Sequence, residues 1–442
     1  MHSANAKQSL SYRVAILGSG GREHALAYQI AQSPLCEQVL VLPGNDGMVL
    51  DRGIQIASCE IGNKKKVIQE LKDNEIDFVV IGPDDLLAQG YADDLEAAGF
   101  KVFGPKKQAA KLEWSKSFGK EVCEELGLPI AKHVTIESIE ELDHAASKVG
   151  SYPLVLKFDG LALGKGVQVC TDEYEAKDFL KQVFEDKKFQ RAELASEGPK
   201  VVVEEFVTGH EVSLFAVCDG KDFVMLEPAC DYKTLLDGNR GKNTGGMGAY
   251  SPVPWLSTEL FDEISNTVFT KVLAYMQEQR KPFKGLLYAG IMVDGSRYSL
   301  LEFNARFGDP ETQCILPRLQ SDLLPLLIGA SSGELKKFVE KNPLRWSNRS
   351  CINVVATSPG YPDHTQTGIE VELGQISGTK IYFSGVRKDK KSLITSSGRV
   401  FSVSALGDSF QQARDLALST FEKVGFRGMH YRRDIGLVEL TM

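Results

Sequence analysis

The sequence predicts an α/β protein of several domains, with a doubly wound parallel sheet at the N-terminus and a β-rich region at the C-terminus. Three observations support this prediction. Residues 13–105 alternate short apolar runs with helical patterns, residues 134–206 form a second, smaller α/β unit, and strand patterns dominate from about residue 345. Strands that alternate with helices favour a parallel sheet, and a chain of 442 residues is long enough to contain more than one core.

The first region is made of short strands that end in turn residues. The runs "RVAILG", "QVLVLPG", "FVVIGP" and "KVFGP" are predicted strands, and "EHALAYQIAQS" is a predicted helix with one apolar face. The stretch "KLEWSKSFGKEVCEELGLP" is predicted to be a single helix that ends at Gly127 and Pro129. We expect this helix to open a second domain.

Strand and helix patterns continue through the middle of the chain. The predicted strands "YPLVLKFDG" and "GVQVC" are joined by the glycine-rich "DGLALGKG", and helix "EYEAKDFLKQVFED" and strand "KVVVEEFV" follow. Strands "HEVSLFAVCDG" and "FVMLEPA" precede a long helix, "TELFDEISNTVFTKVLAYMQEQ", and a shorter one, "SDLLPLLIGASSG". The C-terminal region contains strands "SCINVVATS", "GTKIYFSGV" and "GRVFSVSALG" and a last helix near "SFQQARDLALSTFEKV".

Composition excludes several classes of protein. A net charge of −8 argues against a general nucleic-acid binder, which needs a basic face. The eight cysteines include no CxxC pair, which is typical of reduced thiols in a cytoplasmic protein rather than of a disulfide framework or a zinc site. The first dozen residues lack the apolar core of a signal peptide, and no apolar run reaches membrane-spanning length. We therefore expect a cytoplasmic protein without nucleic-acid or membrane partners.

The stretch "ILGSGGREHA" is a glycine-rich turn between a strand and a helix. Such a turn lets the backbone approach an anion at a helix N-terminus. A dinucleotide site is one interpretation, but its third glycine is replaced by Glu23, and Leu42-Pro43-Gly44 stands where a ribose-binding acid is expected. Arg22 favours a phosphate group instead. A tight turn without a ligand remains the alternative.

Two further stretches are candidates for nucleotide binding. In "KFDGLALGKG", Lys157 and Lys165 flank a glycine-rich turn that could close over a triphosphate, although it is not a Walker A loop. In "VVVEEFVTGHE", Glu204, Glu205 and Glu211 follow a strand, and such acids accept hydrogen bonds from ribose hydroxyls. The alternatives are a solvated lysine loop and an exposed acidic turn.

The most specific pattern is "EFNARFGDPE". Glu302 and Asn304 are two residues apart on a predicted strand, so their side chains share a face. A carboxylate and an amide oxygen are hard ligands that suit Mg²⁺, which also bridges substrate phosphates. Arg306 follows on the same face and could clamp a phosphoryl or carboxylate group. This stretch therefore predicts the metal and phosphate floor of an active site, with a salt-bridged strand end as the alternative.

In this order the motifs resemble those of the ATP-grasp superfamily and, within it, the glycinamide ribonucleotide synthetase family. The resemblance spans roughly residues 13–440 and includes "GSGGREHAL", "PGNDG", "DGLALGKG", "NTGGMGAYSP" and the diagnostic "RFGDPETQ". It implies a pre-ATP-grasp domain at 1–114 and an ATP-grasp domain at 115–342, in which residues 134–206 form a mobile lid. It also implies a β-rich cap domain at 343–442.

The resemblance further implies an ATP-dependent carboxylate–amine ligase of de novo purine biosynthesis. The carboxylate of glycine would attack the γ-phosphate of ATP, and the amine of 5-phosphoribosylamine would attack the glycyl phosphate formed. The implied cofactor is Mg²⁺ or Mn²⁺, and ATP is a co-substrate. The implied partners are small-molecule substrates, and the protein is expected to be a monomer or weak homodimer. Phosphorylation supplies the leaving group that a carboxylate lacks, so the protein mainly positions reactants and neutralises charge.

The resemblance assigns roles to individual residues. The implied catalytic residues are Arg306, Lys157 and Asp309, and the implied metal ligands are Glu302 and Asn304. The implied ATP-binding residues are Lys116, Lys157, Gly164, Lys165, Gly166, Glu204, Glu205, Phe206, Val207 and Glu211. The implied substrate-binding residues are Gly18, Gly20, Gly21, Arg22, Glu23, Asp84, Asp231, Lys233, Asn243, Thr244, Gly245, Gly246, Met247 and Gly248.

The chain departs from the family pattern at a few positions. Asp84 and Asp85 follow Gly82-Pro83 where the family has Glu and another residue. Trp114 precedes Ser115-Lys116 where the family has Gly. Lys242 precedes Asn243 where the family has Pro. These changes lie near the expected amine and acid substrates. A ligase of another acid or amine is therefore an alternative, as are a nicotinamide-dependent oxidoreductase built on the first sheet and a nucleotide sensor without catalytic activity.

Overall fold

The computed structural model describes residues 11–162, 166–189 and 198–437, and it begins with a five-stranded parallel sheet in the order β3-β2-β1-β4-β5. The predicted doubly wound α/β class is confirmed. The crevice of such a sheet lies where the strand order reverses, here between β1 and β4. The strands are β1 Tyr12–Gly18, β2 Cys36–Pro43, β3 Ile54–Ile56, β4 Phe78–Ile81 and β5 Lys101–Phe103. The helices are α1 Gly21–Ile30, α2 Lys64–Asp73, α3 Asp84–Ala88, α4 Tyr91–Ala97 and α5 Lys107–Trp114, with a 3₁₀ turn at Met48–Leu50.

The prediction of a single helix after this sheet is wrong, because the helix is interrupted at Ser115. Helix α5 ends at Trp114, and a new helix, α6 (Lys116–Glu125), begins at once. Ser115 is extended, with φ −118° and ψ 105°, and its Oγ accepts the N–H of Phe118 at 3.3 Å. This N-cap satisfies a free donor of the new helix, which stabilises the break.

A small antiparallel sheet in the order β6-β9-β7-β8 follows. Its strands are β6 His133–Ile136, β7 Leu154–Phe158, β8 Val167–Cys170 and β9 Val201–Glu205. It packs with α7 Leu142–Val149, the 3₁₀ turn Ile139–Glu141 and α8 Glu173–Phe184 around an apolar core of its own.

The centre of the chain contains a second antiparallel sheet in the order β11-β10-β16-β17. Its core strands pair over ten residues, with His210 opposite Val293 and Asp219 opposite Lys284. The strands of this region are β10 His210–Asp219, β11 Phe223–Met225, β12 Cys230–Asp231, β13 Thr234–Leu236, β14 Arg240–Asn243, β15 Gly248–Ser251, β16 Lys284–Asp294 and β17 Arg297–Asn304. The predicted long helix is present as α9 Thr258–Ile264, a π-helical stretch Ser265–Phe269 and α10 Thr270–Glu278. The region is completed by α11 Thr312–Ile315, a 3₁₀ turn Leu316–Arg318, α12 Leu323–Ser332 and α13 Leu335–Lys341.

The C-terminal strands extend a sheet that starts before them. The order β12-β15-β18-β23-β20 joins them to the centre of the chain, with Gly248 opposite Val354. A sheet therefore crosses the boundary predicted at residue 343. The elements are β18 Ser350–Thr357, β19 Glu370–Leu373, β20 Thr379–Phe383, β21 Val386–Asp389, β22 Ser392–Thr395, β23 Arg399–Gly407, α14 Phe410–Thr420 and β24 Val424–Phe426. Across the described ranges, no helix combines the length and the apolar character that crossing a bilayer requires.

Candidate active site

A cavity of about 1290 Å³ lies between the first sheet, the small antiparallel sheet and the central sheet. Most of the residues singled out in the sequence line it, although they come from segments far apart in the chain. Those lining it are Gly18, Gly20, Arg22, Glu23, Asp84, Lys116, Lys157, Gly166, Glu204, Glu205, Phe206, Val207, Glu211, Asp231, Lys233, Asn243, Thr244, Gly245, Glu302, Asn304, Arg306 and Asp309.

The end of β17 forms the floor of the cavity. Glu302 and Asn304 both face the cavity, as the alternation of side chains along a strand predicts. Burial raises the pKa of Glu302, but nearby cations, Lys233 foremost, outweigh burial and hold the pKa at about 2. Glu302 is therefore ionised at neutral pH and can offer carboxylate oxygens to a divalent cation.

The donor set fits Mg²⁺ better than a metal held by protein alone. Among the residues with described positions, no group of three or more His, Cys, Asp or Glu is arranged to hold a metal. Mg²⁺ is commonly bound by one or two carboxylates together with substrate phosphates and water. Glu302 and the Asn304 amide oxygen supply such a partial set.

A β-bulge links this floor to Lys157. Gly290 pairs with Glu302, whereas the next residue, Ile291, pairs with Leu300, so Leu301 is extra. The carbonyl of Leu301 accepts a hydrogen bond from Lys157 Nζ at 3.1 Å. Bulges re-aim side chains near active sites, and this one ties the floor of the cavity to the lysine cluster described below.

Glu113 is a site residue that the sequence motifs did not single out. Its Oε1 lies 3.0 Å from Arg306 Nη2, and its Oε2 accepts the N–H of Ala305 at 2.8 Å. Burial raises the pKa of Glu113 to about 7, against the lowering effect of the Arg306 charge. Arg306 also donates from Nη2 to Asn304 Oδ1 at 3.0 Å.

One donor of Arg306 has no partner. Its Nε is buried and makes no hydrogen bond to any described residue. A buried donor without a partner costs about 1–3 kcal/mol. An anionic oxygen entering the cavity would satisfy it, which is consistent with a phosphoryl-binding role.

Three lysines and one glutamate form a charged cluster on one side of the cavity. Buried Glu204 lies 3.0 Å from Lys120 Nζ and 3.1 Å from Lys157 Nζ. Burial raises the pKa of Glu204, but the Lys157 and Lys120 charges outweigh it and keep the pKa below its ordinary value. Lys116 Nζ donates to the carbonyl of Gly160 at 3.1 Å. The positive charge therefore exceeds the negative charge, which suits a polyphosphate.

Lys120 is a second cavity residue that the sequence motifs did not single out. It lies one helical turn after Lys116 on α6, and residues four apart share a helix face. That spacing was the only signal in the sequence. Burial and the neighbouring Lys157 charge lower the pKa of Lys120.

The hinge after β9 provides an apolar surface beside this charge cluster. Phe206 is 41% exposed, and with Val207 it lines the cavity. The backbone N–H of Glu205 donates to the carbonyl of Lys132 at 2.9 Å, so that donor is already used. The predicted residues Gly164 and Lys165 lie outside the described residues, whereas Gly166 lines the cavity.

Glu211 and Lys233 form an ion pair on the opposite wall. Glu211, predicted to bind ribose, thus has one oxygen engaged by protein. Burial raises the pKa of Asp231 to about 8, with Lys233 opposing and the Glu311 charge adding to the increase. Buried Glu311 accepts a hydrogen bond from Ser213 Oγ at 3.2 Å. This wall therefore combines one ammonium with several acids.

The predicted phosphate-binding turn is held by Glu23. Its Oε2 accepts the N–H of Gly20 at 2.6 Å, and its Oε1 accepts from Arg22 Nε at 2.6 Å. Arg22 also donates to the carbonyl of Phe307 at 3.2 Å. A Cβ at Gly18, where φ is +125°, would lie 2.6 Å from the Glu23 side chain. Glu23 therefore shapes the turn, and its contact with a substrate stays a prediction.

Asp309 is not placed as a free catalytic carboxylate. Its Oδ2 lies 2.7 Å from Arg399 Nη2, and its Oδ1 accepts from Gln313 Nε2 at 2.8 Å. Arg399 also donates to the carbonyl of Gly245. Both oxygens already have a protein partner, and the catalytic role of Asp309 stays a prediction.

Four predicted substrate residues do not reach the cavity. Met247 is fully buried and its N–H donates to the carbonyl of Tyr232 at 2.8 Å. Gly248 lies in β15, and a Cβ there would lie 2.6 Å from the carbonyl oxygen of Asn353. The glycines that complete this set are Gly21 and Gly246. These four residues do not line the cavity, and their substrate-binding assignment stays a prediction.

Comparison with known proteins places the chain in a family. Three family models match consecutive parts of it: the phosphoribosylglycinamide synthetase N domain over 12–113, the ATP-grasp (A) domain over 114–312 and the C domain over 351–438. The chain is 39% identical over 429 residues to a phosphoribosylamine–glycine ligase of Streptococcus suis, covering 96% of this chain and 99% of that one. It is 38% identical over 431 residues to the ligase of that name from Leptospira interrogans, with 96% and 98% covered.

Solved structures agree with this assignment. The phosphoribosylamine–glycine ligase of Thermotoga maritima superposes with a TM-score of 0.81 at 33% identity, covering 96% of this chain and 99% of that chain. The biotin carboxylase domain of Hydrogenobacter thermophilus 2-oxoglutarate carboxylase, solved with ADP, MgADP and bicarbonate, gives a TM-score of 0.71 at 14% identity, with 96% and 92% covered, and shows the fold alone. With this fold, this cavity and these matches, the chain belongs to the phosphoribosylglycinamide synthetase family.

Proposed function

We propose that the protein ligates glycine to 5-phosphoribosylamine with ATP, giving glycinamide ribonucleotide, ADP and phosphate in de novo purine biosynthesis. Family membership and the names of the relatives support the reaction. The observation that carries it is the convergence of Glu302, Asn304 and Arg306 in one cavity with the lysine cluster on one side and the Gly18–Glu23 turn on another. A phosphoryl donor, an acid and a phosphorylated amine could meet there.

The first step forms an acyl phosphate. An oxygen of the glycine carboxylate attacks the γ-phosphorus, the bond from that phosphorus to the β–γ bridging oxygen breaks, and ADP leaves. Arg306, with its unpartnered Nε, stabilises the charge on the transferring group. Lys116, Lys120 and Lys157 hold the ATP phosphates. When bound through Glu302 and Asn304, Mg²⁺ or Mn²⁺ supplies charge neutralisation and orientation for those phosphates.

The second step releases phosphate. The amine of phosphoribosylamine attacks the carbonyl carbon, the bond to the phosphate oxygen breaks, and the amine loses a proton. Gly18, Gly20 and Arg22 receive the ribose phosphate at the N-terminal end of α1, where backbone dipoles favour an anion. Lys233 and Asn243 hold the acid substrate on the opposite wall, and Asp84 accepts hydrogen bonds from the amine or ribose. The protein positions the reactants and excludes water.

Several finer assignments belong to the same proposal. Residues 1–114, 115–342 and 343–442 are three domains, and 134–206 form a lid that closes over ATP. The protein works in the cytoplasm on small molecules, as a monomer or weak homodimer.

The test is ADP release from Mg-ATP with glycine and freshly generated phosphoribosylamine, each omitted in turn. The proposal predicts release that requires all components and yields glycinamide ribonucleotide. ADP release with a different acid or amine, and none with this pair, would leave only a divergent ATP-grasp ligase.

A further inference from the structure

The β13–β14 hairpin, which lies beside the residues proposed to hold the acid substrate, is not part of a larger sheet. Strands β13 and β14 form a separate two-stranded sheet, and all four residues of β14 are exposed. Lys233 immediately precedes this hairpin and Asn243 ends it, and both line the cavity. An isolated two-stranded hairpin is marginally stable in water. Its position therefore depends on contacts with other parts of the chain.

Lys242 of β14 pairs with Asp363 at 2.7 Å, and most of the other contacts come from residues 430–436, close to the end of the described chain. Arg432 is fully buried and makes five hydrogen bonds, which matches the number of N–H groups on a guanidinium. Nη1 donates to Thr234 O at 3.1 Å and Oγ1 at 2.8 Å, and Nη2 donates to Asn239 Oδ1 at 3.0 Å. Nε and Nη2 donate to the two oxygens of Asp434 at 2.8 and 2.6 Å.

The neighbours of Arg432 hold the same hairpin. Asp434 Oδ2 accepts the N–H of Gly238 at 2.8 Å, and the N–H of Arg433 donates to Asp237 Oδ1 at 2.9 Å. His430 Nε2 lies 2.9 Å from the carbonyl of Leu235. The first strand and the tip of the hairpin are therefore tied to one short segment, and β14 is linked to it through the pairing of Asn243 with Thr234.

The segment 430–436 is itself hydrogen-bonded to the sheet that contains β18. Thr357 at the end of β18 exchanges backbone hydrogen bonds with His430, at 2.8 and 3.1 Å. The Arg432 guanidinium carbon also lies 4.7 Å from the centre of the Tyr232 ring, and Tyr232 precedes Lys233 directly. The segment that contains Arg432 thus links β18 to Tyr232, the residue next to the cavity-lining Lys233.

We propose that Arg432 is a positioning residue for the acid substrate. It touches no reacting atom, and it acts by holding the β13–β14 hairpin so that Lys233 and Asn243 face the cavity. This inference rests on the proposed function for its choice of glycine as the acid. Lysine at 432 keeps the charge but has three donors on a single nitrogen, so it cannot reproduce the planar five-bond arrangement.

The kinetic test compares Arg432→Lys with the matched control Arg433→Lys. Arg433 is exposed, its guanidinium lies 5.6 Å from the Tyr431 ring, and it reaches the hairpin through its backbone N–H. We expect Arg432→Lys to raise the KM for glycine about tenfold while the KM for ATP changes less than about twofold. Arg433→Lys should leave both close to wild type. Equal changes in the two KM values, or an unchanged glycine KM, would overturn the proposal.

A double-mutant cycle separates positioning from general destabilisation. If Arg432 acts in part through Lys233, Arg432→Lys should raise the glycine KM by clearly less than about tenfold in the Lys233→Met background, because one of the two groups it positions is gone. Fully additive effects would contradict the proposal.

Hydrogen exchange gives a readout that needs no substrate. Amides of residues 234–243 should exchange faster in Arg432→Lys, while those of β1 and β4 stay unchanged. If the wild type releases no ADP with glycine, the proposed function fails, and the exchange result still decides whether Arg432 holds the hairpin. Unchanged exchange in 234–243 would refute that anchoring.

Discussion

The carboxylate of Glu113 lies 3.0 Å from the guanidinium of Arg306, and both groups face the same cavity. Burial raises the pKa of Glu113 to about 7, so this pair changes its charge within the range in which the enzyme is expected to work. An ionised Glu113 orients Arg306 and balances its charge. A protonated Glu113 has no charge, so it orients Arg306 less well and does not balance the charge of the guanidinium.

Glu113→Gln should therefore lower kcat/KM most at alkaline pH. Above about pH 7 the variant lacks a charged hydrogen-bond partner, and we expect a loss of about ten- to hundredfold, equivalent to roughly 1.5–3 kcal/mol. As pH falls through 7, wild-type Glu113 takes up a proton and the difference shrinks. The measurement is the wild-type to variant ratio of kcat/KM between about pH 5.5 and 8.5. Glu96→Gln, which removes an ion pair to Lys106 away from the cavity, is the control, and a pH-independent ratio would contradict the assignment.

Glu302→Gln should nearly abolish turnover while the fold persists, because an amide is a weaker ligand for Mg²⁺ than a carboxylate. ADP release and thermal unfolding are measured on the same preparation. Asp294→Asn makes the same change at the exposed end of the β16–β17 hairpin, where Asp294 pairs with Arg297, and should retain activity. Full activity of Glu302→Gln at ordinary Mg²⁺ would rule out the metal assignment.

Glu204→Gln should lower the free energy of unfolding at pH 7 and raise the KM for ATP. The variant leaves Lys120 and Lys157 buried without their carboxylate, and breaking such a buried pair costs about 3–5 kcal/mol. The folded pKa of Glu204 is lowered, so its stabilisation is present above the unfolded value of 4.5 and is lost as pH falls through the folded pKa.

Denaturant unfolding at several pH values measures this effect. Glu60→Gln, which removes an exposed pair with Lys66, is the control and should leave the free energy of unfolding close to that of the wild type. A Glu204→Gln variant as stable as that control would show that the buried cluster contributes nothing.

Asp84→Asn should weaken the use of phosphoribosylamine. Asp84 begins α3 at the carboxyl edge of the first sheet, where open α/β folds bind ligands, and it lines the cavity. Loss of a charged hydrogen bond there costs about 1.5–3 kcal/mol, or roughly ten- to hundredfold in kcat/KM. The KM for ATP should change little. Asp73→Asn, exposed at the end of α2, is the control, and an unchanged kcat/KM for phosphoribosylamine in Asp84→Asn would exclude the assigned contact.

Amides near Gly160 and Gly166 should exchange more slowly when ATP binds. The sheet β6-β9-β7-β8 has its own apolar core, and residues of β7 and β8 line the cavity beside Lys157. Closure of this unit over the nucleotide would protect those amides. Exchange followed with and without saturating ATP, with β16 as the internal reference, measures the effect. Equal rates in both states would argue against a lid.

The sequence allowed the elements and much of the cavity to be predicted, since these depend on local patterns. Alternating apolar runs identified β1, β4 and β17, and the spacing of Glu302 and Asn304 placed both on one face. The break at Ser115 was missed because the helical pattern continues across it, and only the capping hydrogen bond to Phe118 shows where one helix ends.

The α/β class, the order of the motifs and the family they indicate follow from the sequence alone, because strand and helix periods and glycine turns are set by neighbouring residues. Which charges meet depends on how the separate elements pack in three dimensions. Arg399 reaches Asp309 across 90 residues, and Arg432 reaches Thr234 across 198. No local pattern encodes such pairs, since they form when separate sheets pack and a buried charge must find a partner. For the same reason Asp309 and Glu23, which read as candidate site residues, have carboxylates already engaged by protein.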